Sequence, residues 1–288
     1  MVTMKIEKVK GIGLCFGVKR AIKRLEGAAQ KYGEIETLGA VAHNRQVVDS
    51  LAQLGIKPVK DLGGVKGNAV AIPSHGAGPR VVKEVQERGL QIIDVTCPIV
   101  RKAQRSAKEL AQAGFWIIIF GDKEHSEVRG ILDWAGGRGM ATLDVEEALR
   151  LDKDLHRLGI LSQTAQNPKH FARFLSEVFA STSSRVKELR IINTICDTTR
   201  RRQAETLELA RRADLMLVVG GRDSANTCRL VEICSSAGVE TYHIETAAEV
   251  EKAWLKGRRL IGITAGTSTP DVTIKEVVLK LEEMGADA

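Results

Sequence analysis

Residues 92–110 read IIDVTCPIVRKAQRSAKEL, and the architecture of the whole chain can be worked out from them. An apolar strand comes first, then Cys97, then an amphipathic helix. Apolar side chains recur at helical spacing from Val100 to Leu110 and form one stripe. Pro98 suits the first turn of a helix. The segment therefore predicts a strand that ends just before Cys97 and a helix that begins just after it.

The same plan occurs twice more, around Cys15 and around Cys196. The corresponding segments are GIGLCFGVKRAIKRLEGA at 11–28 and IINTICDTTRRRQAETLEL at 191–209. A basic residue stands four positions after each of the three cysteines. Internal repeats of this kind define an architecture. We therefore interpret the chain as three tandem, similar α/β units.

Alternating strands and helices predict an α/β fold with parallel sheets and right-handed crossovers. The expected units are 1–95, 96–194 and 195–269, in a pseudo-threefold arrangement around a central site. The third unit lacks a strand after its last helix, while MKIEKVKG at 4–11 is a strand with no helix before it. We therefore expect the C-terminal helix, within 270–288, to join and pack against the first unit.

Two polar loops in each unit follow predicted strands, where the ligands of parallel sheets collect. The first set reads LGAVAHN, FGDKEHSEVRG and VGGRDSANT. Counting 28 residues beyond each cysteine gives, within these loops, His43, His125 and Ser224. The second set reads IPSHGAGP, LSQTAQNP and TAGTSTP. Its corresponding positions are predicted to be His75, Thr164 and Ser268.

The three repeat cysteines predict a metal site, because each repeat places a thiol at one structural position. Cys15, Cys97 and Cys196 cannot all pair as disulfides, and a helix N-terminus favours the thiolate that binds soft metals. Structural zinc normally takes four ligands from close pairs. An iron–sulfur cluster with one open iron is therefore favoured. Cys228 and Cys234, in a predicted helix, are expected to be small buried core residues.

The polar loops predict a site for a phosphorylated ligand that is bound by hydrogen bonds. Glycine-rich segments at 74–78 and 265–269 expose backbone N–H groups at helix starts, which suits an anion. Glu127 is the candidate general acid, since desolvation in a closed cavity raises the pKa of a carboxyl group. The alternative for these residues is an ordinary position on the surface.

Composition narrows the setting of the protein. Of the 288 residues, 43% are hydrophobic and 27% charged, which is typical of a globular protein. No apolar run is long enough to predict a membrane span, and the first residues lack the apolar stretch of a secretory signal. A net charge of +7 with only 4% aromatic residues disfavours nucleic acid as a partner. Five cysteines without dense spacing predict a reducing, cytoplasmic location.

Taken together, the motifs resemble the 4-hydroxy-3-methylbut-2-enyl diphosphate reductase family (IspH/LytB). The resemblance covers almost the whole chain and is carried by CFGVKRAI, LGAVAHN, IPSHGAG, DVTCPIV, FGDKEHSEVRG, LSQTAQ, TTRRRQ, VVGGRDSANT and ITAGTSTP. It implies reductive dehydroxylation of that diphosphate to isopentenyl and dimethylallyl diphosphate. This reaction is the last step of the non-mevalonate (MEP) isoprenoid pathway.

The resemblance also implies roles for individual residues. A 4Fe–4S cluster, with its fourth iron open to the substrate hydroxyl, would be held by Cys15, Cys97 and Cys196. Electrons would come one at a time from reduced ferredoxin or flavodoxin. Proton delivery and its assistance would fall to Glu127, Thr164 and His125. Substrate contacts are implied for His43, His75, His125, Thr164, Ser224, Ala225, Asn226 and Ser268.

The chain departs from the family pattern at two positions. Ala225 stands where the family often has a serine, so we expect its backbone N–H to contribute and binding to lose about 1 kcal/mol of support. Ser126 stands where proline is common, which would loosen Glu127 without removing its carboxylate. Two other functions stay open at this point, which are a non-redox iron–sulfur hydro-lyase and a non-enzymatic iron–sulfur redox sensor.

Overall fold

The computed structural model describes residues 4–150 and 155–286. Residues 1–3, 151–154 and 287–288 lie outside the described residues, although the predicted units and the expected N-terminal and C-terminal segments include them. No described helix is both long and apolar enough to cross a membrane.

The described strands form three sheets of four parallel strands each. The first sheet contains β2 (Ile35–Leu38), β3 (Ile56–Val59), β4 (Ala69–Ile72) and β5 (Gln91–Asp94). The second contains β6 (Trp116–Phe120), β7 (Gly139–Thr142), β8 (Arg157–Ser162) and β9 (Glu188–Ile192). The third contains β1 (Lys5–Lys8), β10 (Leu215–Val219), β11 (Glu240–Ile244) and β12 (Leu260–Ala265).

Helices alternate with these strands along the chain. Those in the first half are α1 (Phe16–Tyr32), α2 (Arg45–Gln53), α3 (Pro79–Glu87), α4 (Pro98–Gln112) and α5 (Ser126–Trp134). Those in the second half are α6 (Val145–Leu149), α7 (Pro168–Thr182), α8 (Asp197–Ala210), α9 (Ala225–Ser236) and α10 (Asp271–Ala286). The predicted α/β class, with three parallel-sheet repeats, is confirmed. The pseudo-threefold arrangement around a central iron–sulfur site stays a prediction.

One strand order recurs in all three sheets. The orders are β3-β2-β4-β5, β7-β6-β8-β9 and β11-β10-β12-β1. In each case the strand at the fourth position leads into one of the three repeat cysteines. The repeat therefore includes the strand before its cysteine, and the third repeat takes that strand from the N-terminus of the chain.

The place of β1 corrects the expectation that MKIEKVKG belongs with the first unit. β1 lies beside β12, with Lys5 opposite Leu260 and Lys8 opposite Ile263. The third repeat contains only three strands of its own, so the edge of β12 is open to a strand from elsewhere in the chain. The N-terminal segment satisfies the backbone hydrogen bonds of that edge.

The C-terminal helix packs on the same sheet. Ile274, Val277 and Leu281 of α10 are buried in the core of the third sheet, and Met4 and Ile6 pack against that core. The sequence predicts that this helix packs against the first unit. In the structure it packs against the third sheet instead, to which the N-terminal strand also belongs.

The described residues divide into two compact units. Unit 1 comprises the described residues of Met1–Lys19, Ala42–Gln53 and Asp197–Ala288. Unit 2 comprises Arg20–Val41 and the described residues of Leu54–Cys196. The third sheet lies in unit 1, and the other two lie in unit 2. The repeats read from the sequence thus correspond to sheets rather than to compact units.

Strand β6, in the middle of the second sheet, is apolar throughout because it faces a hydrophobic core on each side. Ile117 and Ile119 of β6 pack into a core with residues of α4 and α5. Ile118 and Phe120 pack into a separate core with residues of α6 and α7. Both faces of the sheet are covered, so the four residues from Ile117 to Phe120 are all buried. This frame holds the polar loops at the carboxyl ends of the strands.

Candidate active site

The three repeat cysteines have the same backbone environment. Each donates its backbone N–H to a carbonyl in the loop after the third strand of a sheet, in the pairs Cys15 with Thr267 (2.8 Å), Cys97 with Ser74 (2.9 Å) and Cys196 with Thr164 (3.0 Å). The three thiols are reduced and half-buried. The structure therefore places them at equivalent positions, as the repeats predict.

These hydrogen bonds also align the second set of polar loops. Ser74, Thr164 and Thr267 are the equivalent residues, each accepting from the N–H of a cysteine. The sequence predicts instead that His75 and Ser268 correspond to Thr164. Both predictions are wrong by one residue, because Ser74 and Thr267 occupy the equivalent positions. The reason is that the loops differ in length between the strand and the proline that restarts the chain as a helix.

The first set of loops supplies helix N-caps. His125 caps α5, where its Nδ1 accepts the backbone N–H of Glu127 at 3.2 Å. Ser224 caps α9, where its Oγ accepts the N–H of Thr227 at 3.4 Å. Because Nδ1 of His125 is an acceptor, the neutral imidazole carries its proton on Nε2. That N–H is suited to donate to an oxygen of a ligand.

His43 lies one residue before the corresponding cap position. The side chain of Asn44 accepts the N–H of Val47 at 3.1 Å at the start of α2. Burial lowers the pKa of His43, and the nearby charge of Asp223 only partly offsets this effect. His43 is therefore predominantly a neutral imidazole near pH 7, which can act as an uncharged hydrogen-bond donor.

Glu127 and Thr164 form a buried pair in unit 2. Glu127 is only 5% exposed. Its Oε1 accepts the backbone N–H of Thr164 at 2.7 Å, and its Oε2 accepts the Thr164 hydroxyl at 2.8 Å. Burial raises the pKa of Glu127, while the two hydrogen bonds from Thr164 act in the opposite direction. The net direction is upward, so this carboxyl group retains a proton at a higher pH than an exposed glutamate does.

The pair can pass a proton outward. When Glu127 is protonated, its O–H can donate to Oγ1 of Thr164, and the Thr164 hydroxyl then turns its own hydrogen to another acceptor. Gln163 supports this arrangement from a fully buried position. Its Oε1 accepts the N–H of Asp122 at 3.1 Å and the side-chain N–H of Gln166 at 2.9 Å. The loop that carries His125 is thereby tied to the loop that carries Thr164.

In unit 1, the side-chain amide of Asn226 is buried without a hydrogen-bond partner among the described residues. The residue is 6% exposed, and neither its Oδ1 nor its Nδ2 has a hydrogen-bond partner among the described residues. A buried amide without partners is costly and rare. It lies in the first turn of α9, where backbone N–H groups also lack helical partners. A polar or anionic ligand at this position would satisfy both.

Ser268 and His43 are close together in unit 1. The Ser268 hydroxyl donates to the carbonyl of His43 at 3.4 Å. A Cβ at Gly221 would lie 2.5 Å from that same carbonyl, so only glycine permits this close approach. Ala225 occupies the first helical position of α9, between Ser224 and Asn226. The structure thus places Ser268 beside His43, while a contact of either residue with Ser224, Ala225 or Asn226 stays a prediction.

In unit 2, His75 lies in the loop after β4. Its ring lies near Gly39, since a Cβ added at Gly39 would be 3.8 Å from the imidazole. Ser126 and Arg129 of α5 line a cleft of about 500 Å³ together with His75. The predicted residues of this unit, His75, His125, Glu127 and Thr164, are therefore carried on loops and helix starts of the first two sheets. Direct contacts of His75 with the other three residues stay a prediction.

One functional candidate escaped the sequence analysis. Arg202, in the run TTRRRQ, is only 3% exposed. Its guanidinium donates to the carbonyls of Ala265 (3.0 Å), Gly11 (2.7 Å) and Gly13 (3.0 Å). It thus holds the turn that precedes Cys15. Three consecutive arginines read as a solvated helix face, so no local signal marks the third one as buried.

The two cysteines of α9 differ from each other in burial. Cys234 is buried in the core, and burial raises its pKa to about 12, which confirms the expected core role. Cys228 is only half-buried, and its thiol donates to the carbonyl of Arg222. Within each compact unit, the described residues contain no group of three His, Cys, Asp or Glu placed to hold a metal ion. Joint ligation by Cys15, in unit 1, and by the other two repeat cysteines, in unit 2, stays a prediction.

Fold and site together define a class, which is a three-repeat α/β protein with thiol, imidazole and carboxyl groups on the loops beyond parallel strands. The model of the family described as LytB protein matches residues 6–282 of this chain. The chain belongs to the LytB family, and the resemblance noted from its motifs is confirmed.

Curated relatives match over their full length. The 4-hydroxy-3-methylbut-2-enyl diphosphate reductase of Dehalococcoides mccartyi is 48% identical over 286 residues, covering 99% of this chain and 100% of the relative. The protein of the same name from Geobacter sulfurreducens is 41% identical over 280 residues, covering 97% and 98%.

Two solved structures are also similar to this chain. The structure of (E)-4-hydroxy-3-methyl-but-2-enyl diphosphate reductase, the terminal enzyme of the non-mevalonate pathway, is 37% identical, with a TM-score of 0.69, and the match covers 98% of this chain and 100% of that one. The E-1-hydroxy-2-methyl-but-2-enyl-4-diphosphate reductase from Plasmodium falciparum has a TM-score of 0.90 at 24% identity, over 96% of this chain and 87% of that one. The second match shows the fold alone.

Proposed function

We propose that this chain reduces 4-hydroxy-3-methylbut-2-enyl diphosphate to isopentenyl and dimethylallyl diphosphate. The substrate takes up two electrons and two protons, its C–O bond breaks, and the hydroxyl leaves as water. The observation that carries the proposal is the buried pair of Glu127 and Thr164, in a chain that belongs to the LytB family. Removal of a hydroxyl requires a proton donor in a dry site, and this pair is suited to that task.

Glu127 is the proposed source of the proton. Its raised pKa lets the carboxyl group keep a proton to a higher pH than an exposed glutamate does. Thr164, whose hydroxyl lies 2.8 Å from Oε2, is proposed to relay this proton or to orient the substrate hydroxyl. His125 assists through its Nε2–H, since its Nδ1 is engaged at the helix N-terminus. General acid catalysis of this kind contributes about 10²- to 10⁴-fold to a rate.

The diphosphate is proposed to be bound by hydrogen bonds rather than by lysine charges. The residues assigned to substrate contacts are His43, His75, His125, Thr164, Ser224, Ala225, Asn226 and Ser268. Asn226 supports this assignment most directly, because its buried amide has no partner among the described residues. His43 is predominantly neutral and can donate without the desolvation cost of a cation. Ala225 would contribute its backbone N–H at the start of α9.

Cys15, Cys97 and Cys196 are the proposed ligands of a 4Fe–4S cluster. The donor set fits such a group, because the three thiols are reduced, half-buried and equivalent in backbone environment. Thiolates are the ligands that iron–sulfur clusters prefer. When bound, the cluster supplies the two electrons singly and polarises the leaving hydroxyl as a Lewis acid. We propose reduced ferredoxin or flavodoxin as the donor and the cytoplasm as the location.

Anaerobic preparation of the full chain tests the proposal. We expect bound iron and sulfide, and formation of both products only when an artificial one-electron donor such as reduced methyl viologen is present. Reductant-independent conversion of the substrate would instead identify a hydro-lyase. Iron binding without any turnover would favour a sensor. Serine replacements separate the cysteines, since Cys15, Cys97 and Cys196 should be required for iron retention while Cys228 and Cys234 should not.

A further inference from the structure

A single backbone carbonyl in unit 2 receives two side-chain donors from different helices. The carbonyl oxygen of Ala77 accepts Nε1–H of Trp134 at 3.0 Å and Nε2–H of Gln104 at 3.4 Å. Trp134 is the last residue of α5, and Gln104 is buried in the middle of α4. These contacts join helices that start at Cys97 and next to His125 to one loop.

That loop, 74–78, is the one that carries His75. Its first residue, Ser74, accepts the backbone N–H of Cys97 at 2.9 Å. Two residues beyond His75, the carbonyl of Ala77 is held by the indole and the amide. His75 therefore lies between two anchored carbonyls. The backbone is thus held by hydrogen bonds on both sides of His75.

The loop approaches α4 and α5 closely at two of its glycines. A Cβ at Gly76, where φ is +78°, would lie 2.4 Å from Nε2 of Gln104. A Cβ at Gly78 would lie 2.2 Å from Oδ2 of Asp133, the neighbour of Trp134. A side chain at either position would have to displace the side chain of Gln104 or of Asp133, or move the loop.

Two clefts flank the same loop at Ala77. Ala77 lines both the cleft of about 500 Å³ shared with His75 and a smaller one of about 250 Å³ shared with Trp134 and Lys108. Lys108 lies over the indole ring, 5.4 Å from its centre, which keeps the ring in place. Ala77 thus borders open space, and its carbonyl is held by the hydrogen bonds from Trp134 and Gln104.

We infer that Trp134 and Gln104 are positioning residues that set His75 for binding of the diphosphate group. This inference rests on the proposed function and adds to it two residues that do not touch the substrate. Trp134 has the larger effect, because its hydrogen bond is shorter and an indole can only donate. Loss of either donor lets the loop shift and weakens binding of phosphate oxygens, without altering the proton donor.

Replacement of Trp134 by phenylalanine tests this, because it keeps an aromatic ring and removes the N–H. We expect KM for the substrate, and Kd for inorganic pyrophosphate measured by calorimetry, to rise about 5- to 10-fold, the loss of one net hydrogen bond. We expect kcat to change less than 2-fold. Unchanged KM and Kd, or a fall in kcat alone, would overturn the inference.

The chain offers a matched control in Trp116. Its Nε1 is buried and has no hydrogen-bond partner among the described residues. Trp116→Phe therefore removes the same N–H in the same unit, and we expect no change in KM or in the Kd for pyrophosphate. Equal weakening by both replacements would point to a general loss of structure and would contradict a positioning role.

Two further variants keep the test decisive. Should Trp134→Phe fail to fold, Gln104→Met removes the second donor at similar length, and a rise in KM of about 2- to 5-fold is expected. In a His75→Asn background, Trp134→Phe should have no further effect on the Kd for pyrophosphate, because it acts through that imidazole. The pyrophosphate measurement stands even if the chain shows no reductase activity, so failure of the proposed function and failure of this inference remain distinguishable.

Discussion

The N-termini of α5 and α9 occupy equivalent positions in two repeats, yet they carry different chemistry. His125 caps one helix and Ser224 caps the other, and the second helical residue is Glu127 in the first case and Asn226 in the second. Glu127 is bound at both oxygens by Thr164, whereas Asn226 has no partner for its amide among the described residues. The fold thus repeats a position, and the side chains there differ, with a hydrogen-bonded carboxyl group in α5 and an amide without a described partner in α9.

Removal of the acid should have the largest effect. For Glu127→Gln we expect kcat to fall about 10²- to 10⁴-fold, the range of general acid catalysis, with iron content and substrate affinity retained. Steady-state turnover with an artificial donor and a separate binding titration measure the two quantities. The exposed Glu124 of the same loop provides the control, since Glu124→Gln should turn over normally. Normal turnover of the Glu127 variant would remove that residue from the mechanism.

The equivalent change in α9 should act on binding instead. For Asn226→Ala we expect KM to rise about 10-fold with kcat nearly unchanged, because a hydrogen bond to a charged group is lost. Unlike most buried polar replacements, this one should not lower the melting temperature of the ligand-free protein, since the amide has no described partner to lose. A large loss of stability together with unchanged KM would show that the amide is structural.

The titration of Glu127 should be visible in the stability of the protein. Its pKa is raised above 4.5 in the folded state, so folded Glu127 holds a proton that the unfolded chain releases at intermediate pH. Its contribution to the free energy of unfolding is therefore present below pH 4.5 and is lost as pH rises through the folded-state pKa. Urea unfolding of wild type and Glu127→Gln at pH 5 and pH 8 measures this.

We expect the stability of wild type relative to Glu127→Gln to fall between the two pH values. Glutamine does not titrate, so the variant lacks this contribution to the pH dependence. A constant difference across the range would mean that Glu127 is charged in the folded protein and is stabilised by Thr164 alone. In that case the carboxylate would act as a hydrogen-bond acceptor rather than as an acid.

The smallest effect is expected at the first helical position. Ser126 and Ala225 are equivalent residues of α5 and α9. For Ala225→Ser we expect KM to fall by up to about 5-fold, the contribution of one added hydroxyl contact of about 1 kcal/mol. For Ser126→Ala, the matched change in the other repeat, we expect KM within 2-fold of wild type. A substrate titration on both variants decides whether the missing hydroxyl matters.

Much of this arrangement could be predicted from the sequence, because it depends on local rules. A strand followed by a cysteine and an amphipathic helix needs only apolar periodicity, and the recurrence of that pattern revealed the three sheets. The 28-residue spacing led to His125 and Ser224, which both proved to be helix N-caps. In the first repeat the cap is Asn44, whereas the 28-residue spacing predicts His43. The difference of one residue arises because the loops of the repeats differ in length.

Contacts between distant segments could not be predicted in this way. The pairing of β1 with β12 links residues at opposite ends of the chain, and periodicity does not say which edge accepts a strand. Arg202 resembles its two neighbours in sequence but lies buried against three carbonyls. Trp134 shows no local sign that its indole meets Ala77, which lies 57 positions earlier.

Residue order alone therefore sets the three-repeat α/β architecture, the places of the thiols and the helix starts that carry polar groups, since short-range sterics and apolar periodicity govern all of them. Three-dimensional packing determines which polar groups are buried from water and which of them have hydrogen-bond partners. Burial raises the pKa of Glu127 although the hydrogen bonds from Thr164 oppose this, and the amide of Asn226 is buried without a hydrogen-bond partner among the described residues. Desolvation depends on every neighbour in space, and the linear order of residues does not specify those neighbours.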